Sequence, residues 1–176
     1  MKAHQLILES KNDWKKSPDF INGVVSPKIF DLGAKWMFNK LNEKGNIEKR
    51  AFNDLTNYWA YGILKYGLCL FAFLISIFLF FKIHILLTPL SILVFYLFEI
   101  HLLFLFPLLI DNVKNPIWTS VKQTYKIGFF TALITVIPIG FYMVIGLFNF
   151  NNPFRNWYIG CLAIIIWYEN DIRNRL

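Results

Sequence analysis

One carboxylate interrupts a long apolar run, Glu99 in the stretch YLFEIHLLFLFP. It stands about halfway along a segment that reads as membrane-spanning, where an ionised carboxylate is costly. Three arrangements are open to it: protonation, a hydrogen bond to a neighbouring helix, or a wet cavity. A titrating Glu99 would act as an intramembrane acid or base, or carry protons. A Glu99 bridged to Thr131, Thr135 or Tyr142 would only fix the packing. His101 follows two residues later, so at roughly 100° per residue it points about 200° away and the two share no helix face. They are not a dyad by themselves. The chain has 3 histidines, and neither His4 nor His84 falls in another span, so a haem held by two histidines is excluded and His101 is expected to be a packed or hydrogen-bonded imidazole.

A second group of chemically useful residues gathers near segment ends: Asp111, Glu169 and Asp171, with Lys114, Arg173 and Arg175 beside them. These would form either a polar site for a metal ion with a phosphorylated lipid headgroup, or ordinary interfacial charges. The acidic spacings of CDP-alcohol phosphotransferases and polyprenyl transferases do not occur. Cys69 and Cys161 each lie alone in an apolar run, with no Cys-x-x-Cys. Ser76 and Ser91 have no Gly-x-Ser-x-Gly setting for a nucleophile. The catalytic assignment is therefore open, with Glu99, His101, Asp111, Glu169 and Asp171 as candidates, and neither a cofactor nor a metal is expected.

The elements that carry these residues follow from composition. Of 176 residues 56% are hydrophobic, 19% aromatic and only 16% charged, more apolar surface than one soluble core of this length buries. The fold class expected is an all-α integral membrane protein with four transmembrane helices, the last short and either a full or a partial crossing. The spans are about 59–81, 90–110, 127–148 and 153–172, within a membrane domain over 58–172 and ahead of a tail at 173–176. Lys82 to Pro89 reads as a tight hairpin, Pro107 as a kink and Asp111 to Lys126 as a polar loop. Lys65 is placed to snorkel toward headgroups.

The first 57 residues read as a cytoplasmic segment, mostly irregular at its start apart from a short helix near Gln5 to Glu9. An amphipathic helix is expected at about 26–45, with Ser26 as N-cap, Pro27 at the first helical position and Gly45 with Asn46 as the stop. Phe30, Ala34, Met37, Phe38 and Leu41 fall on one face. That stripe suits either a membrane surface, with Trp36 at the headgroups, or the protein's own loops. A further helical stretch is expected from Asn46 into the first span.

Net charge is +7, and 10 of the 18 basic residues lie at or before Arg50, the pattern of a segment held against anionic lipid rather than nucleic acid. In the four-span arrangement 15 basic residues fall inside and only Lys82 and Arg155 outside, which sets both termini inside. Frequent Phe, Ile, Lys and Asn suggest an AT-rich genome, hence a bacterial inner membrane or, alternatively, a mitochondrial inner membrane. Three functions suit such a chain: a non-catalytic subunit or accessory factor of a larger membrane assembly, a small enzyme acting on a lipid or lipid-linked substrate, or a proton-coupled transporter or channel component. The partners expected are the lipid bilayer and other membrane subunits or further copies of the chain.

Overall fold

The computed structural model describes residues 2–16, 18, 26–44 and 51–173, and among these the regular structure is all helical, with no strand. The helices are α1 (Ala3–Lys16), α2 (Ile29–Lys44), α3 (Tyr58–Ile83), α4 (Ser91–Glu99), α5 (Leu105–Ile110), α6 (Pro116–Ile127), α7 (Phe129–Gly146) and α8 (Arg155–Asp171). Three stretches are long and apolar enough to cross a membrane: Tyr58–Ile83, Ile85–Ile110 and Phe129–Gly146. The fourth expected span is α8, whose 17 residues are about 26 Å of helix, against an expected 20.

Local chemistry explains the boundaries. The Asn57 side chain accepts from the Ala60 amide at 3.0 Å and caps α3. At the far end His84 adopts an extended conformation, and its Nδ1 accepts from the Leu86 amide, starting a 3₁₀ turn over Ile85–Leu90 that makes the hairpin. The expected kink at Pro107 is displaced. The helix breaks earlier, through a 3₁₀ turn at Ile100–Leu102 and a non-helical Phe104, and Pro107 falls in the first turn of α5, where its missing N–H costs nothing. The carbonyl of Ile100 accepts from the Thr124 hydroxyl of α6 at 2.8 Å, beside a longer bond of 3.4 Å from the Leu103 amide.

The polar loop expected at 111–126 is in fact mostly α6. Asn115 takes the left-handed conformation at φ 53° and Pro116 opens the helix. The buried face of α6 is polar, made of Ser120, Gln123 and Thr124, while its apolar residues Ile117, Trp118 and Tyr125 are exposed. Gly128, at φ 103°, separates α6 from α7 and shortens the expected third span at its start. The N-terminal stretch differs in the same direction: α1 runs over 14 residues, because Leu6, Ser10 and Trp14 recur every four residues and bury one face.

The core lies where α1, α2, α5, α7 and α8 meet. All six residues of α5 are buried, and α8 buries Tyr158 to Gly160, Leu162, Ala163 and Ile165 to Tyr168. Trp14 stacks on Tyr158 at 5.5 Å, and Trp36 meets the same ring edge-on at 5.4 Å. Trp36 is therefore a packing residue, not a headgroup anchor, and α2 covers α3, α5 and α8. That helix begins at Ile29, later than expected: Ser26 to Lys28 form a turn in which the Ser26 hydroxyl accepts from the Lys28 amide at 3.2 Å, so Ser26 is not its N-cap nor Pro27 its first residue. The stop expected at Gly45 and Asn46 lies outside the described residues, and Ala51 to Asn57, expected as helix, is irregular chain with a turn. By contrast, nothing from Ile77 to Leu90 is buried, so the far half of the α3–α4 hairpin stands clear of the core.

Candidate functional site

Glu99 ends α4 and lines a cavity of about 210 Å³ between α3, α4, α7 and α8. Lys65 lines the same cavity from α3, 5% exposed, its ammonium 5.3 Å from the centre of the Tyr66 ring. The remaining walls are apolar: Phe95, Leu103, Val136, Met143 and Ile164 among others. Lys65 stands two turns into α3, so Glu99 lies nearer the start of that helix than its far end, and not at mid-depth as its position in the apolar run suggests. The expected bridge to Thr131 or Thr135 is not formed, because the Thr135 hydroxyl donates to the Thr131 carbonyl at 2.8 Å. Tyr142 lies under the ammonium of Lys11, 4.8 Å from its ring centre.

Two close approaches hold the cavity walls. At Gly62 a methyl group would overlap the Phe30 ring, and at Gly140 it would overlap the Tyr96 hydroxyl. A second cavity of about 430 Å³ adjoins the first, sharing Met37, Tyr66, Phe106, Trp157 and Cys161 with it. That volume is within the usual span of small-molecule sites. Trp36 forms part of its wall, and the Nε1 of that residue is buried without a hydrogen-bond partner.

Lys65 is the residue sequence reasoning undervalued. The signal was present: it is the single charged residue in the apolar part of the first span, as Glu99 is in the second, and antiparallel neighbours in a hairpin bring such residues together. Snorkelling explained Lys65 well enough in isolation to hide the pairing.

The other candidates are engaged elsewhere. His101 shares Nδ1 with the Leu97 carbonyl at 2.7 Å and Nε2 with the Tyr125 hydroxyl at 3.2 Å, a packed and hydrogen-bonded imidazole. Asp111 accepts from the Tyr168 hydroxyl at 2.8 Å and from Arg173 at 2.9 Å, both ionic side chains being less than 10% exposed. Arg173 also lies 3.9 Å from Glu169, and Asp171 accepts from the Trp167 indole at 2.9 Å. Asp111 and Glu169 thus meet at one arginine, while Asp171 is held by its own helix's Trp167. Arg175 lies outside the described residues. Among the described residues no three His, Cys, Asp or Glu side chains are grouped to hold a metal ion.

The chain matches no protein-family model, no curated protein and no solved structure.

Proposed function

We propose that this is a small integral membrane protein of non-catalytic role, an accessory component that binds one amphiphile between Lys65 and Glu99. The observation that carries the reading is the shared cavity: a buried ammonium and a half-buried carboxylate in walls that are otherwise largely apolar. Charges withdrawn in this way are costly unless paired or hydrogen-bonded. A ligand head offering an acidic oxygen to Lys65 and an ammonium or hydroxyl to Glu99 would complement both. The second cavity extends the first with apolar wall for the ligand's chain. Met37 and Met143 bring unbranched, adaptable side chains suited to chains of variable shape.

Binding is favoured over lipid chemistry because the carboxylates placed to hold a headgroup metal are committed. Asp111 and Glu169 are paired with Arg173, and Asp171 with Trp167. Native mass spectrometry of the protein in mild detergent, with phosphatidylethanolamine or phosphatidylglycerol added, tests the reading. A one-to-one adduct with the zwitterionic lipid, lost in both Lys65→Met and Glu99→Leu, is expected. No adduct on the wild type, or equal adducts on all three proteins, would reject it.

A further inference from the structure

The apolar surface of α3 runs unbroken through Leu64, Leu68, Phe71, Ile75, Phe78 and Ile83, all exposed. Leu64 to Ile83 is 19 residue steps, about 29 Å of helix, which matches a hydrocarbon core of roughly 30 Å. The α3–α4 hairpin therefore fills one bilayer by itself.

The α7–α8 turn does not reach the tip of that hairpin. Leu147 and Phe154, on either side of the turn, line the same cavity as Tyr66. Tyr66 lies 17 residues before Ile83, about 26 Å along α3. The hairpin beyond Ser76 and Ser91 buries nothing until the chain has turned back, and its 3₁₀ turn packs on α3 and α4. The two turns thus stand at opposite ends of α3.

The polar helix α1 tells the same story. It packs along α8 and α7, with Lys11 over Tyr142 and Trp14 on Tyr158, while Lys15 and Lys16 are exposed. Were α7 and α8 to cross the bilayer, these ammonium groups would be carried into hydrocarbon beside them. The opposite flank of α7 is apolar and uncovered: Phe130, Ile134, Phe141, Ile145 and Phe148 form one exposed stripe, against Ala132, Val136 and Ile139 in the core. One face of α7 is thus committed to the protein core and the other is suited to acyl chains.

We infer that the chain crosses the bilayer twice, through α3 and the Ile85–Ile110 stretch alone, and that α7 lies in the plane of the inner leaflet with its Phe130–Phe148 stripe among the acyl chains. The 149–156 turn, including Arg155, then returns to the side that carries α1, and Lys82 is the single basic residue on the far side, in keeping with the positive-inside rule.

Single cysteines at His4, His84 and Asn151, all exposed, in a Cys69→Ala, Cys161→Ala background test this with a membrane-impermeant maleimide on right-side-out and inverted vesicles. His4→Cys and Asn151→Cys should label from one side and His84→Cys from the other. Labelling of Asn151→Cys from the side of His84→Cys would overturn the inference. Spin labels at Ile134→Cys and Ile145→Cys give an independent reading through oxygen and nickel accessibility. Equal immersion depths are expected; depths differing by the roughly 16 Å that 11 residues of a crossing helix would impose reject the in-plane helix.

Discussion

Replacing Arg173 by Met removes the guanidinium from a pair in which both side chains are less than 10% exposed, while keeping most of the apolar stem. Asp111 keeps the Tyr168 hydroxyl at 2.8 Å but loses the 2.9 Å bond from Arg173, and Glu169 loses its neighbour at 3.9 Å. Breaking a buried pair from one side costs about 3–5 kcal/mol, and the surviving hydroxyl bond argues for the lower end, about 3 kcal/mol. For a chain of this size each kcal/mol lowers Tm by roughly 2–4 °C, so a fall of roughly 6–12 °C is expected in detergent micelles followed by circular dichroism. The companion Asp111→Asn should be nearly as harmful alone, and the double variant should be less destabilised than the two single losses combined, with a coupling of at least about 1 kcal/mol. A Tm shift under about 2 °C for Arg173→Met, or strict additivity in the double variant, would refute the claim that this acidic cluster is a structural clasp joining α5 to α8.

Two further substitutions probe the breaks that set the cavity walls. Thr124→Val removes the shorter of two bonds to the buried Ile100 carbonyl, leaving the Leu103 amide at 3.4 Å, and should cost about 1 kcal/mol in a thermal or denaturant melt; no loss would show that the α4–α5 break needs no support from α6. Gly128→Ala, at φ 103° and with Thr131 Oγ1 3.3 Å from the new methyl, should destabilise by about 1–2 kcal/mol in the same melt, and a neutral result would contradict the sharp α6–α7 boundary.

The all-helical class and the three long apolar stretches were legible because hydrophobic length is a direct signal. Of the N-terminal helix α1 only a short piece near Gln5 to Glu9 was legible, since just Leu6, Ser10 and Trp14 of its 14 residues are buried. Helix α6 reads as loop although Ile117, Val121 and Tyr125 recur every four residues, because Lys122, Gln123 and Lys126 stand between them and its buried face is the polar set Ser120, Gln123 and Thr124. At the site, Glu99 was recognisable from its setting alone, whereas its height along the fold was not. Counting residues within a run places it halfway, but the break at Ile100–Phe104 and the pairing with α3 set it level with Lys65. Of the acidic residues near the segment ends, Asp111 and Glu169 share Arg173 while Asp171 bonds Trp167, an arrangement that spacing along the chain does not reveal.

The central claim is that the Lys65–Glu99 cavity holds an amphiphile, and an experimental structure of the protein in lipid nanodiscs tests it most directly. The account predicts elongated density continuous through both cavities, with its polar end within hydrogen-bond reach of Lys65 and Glu99. Cavities closed by inward packing of Tyr66 and Trp157, or a direct Lys65–Glu99 ion pair with no density beside it, would contradict it.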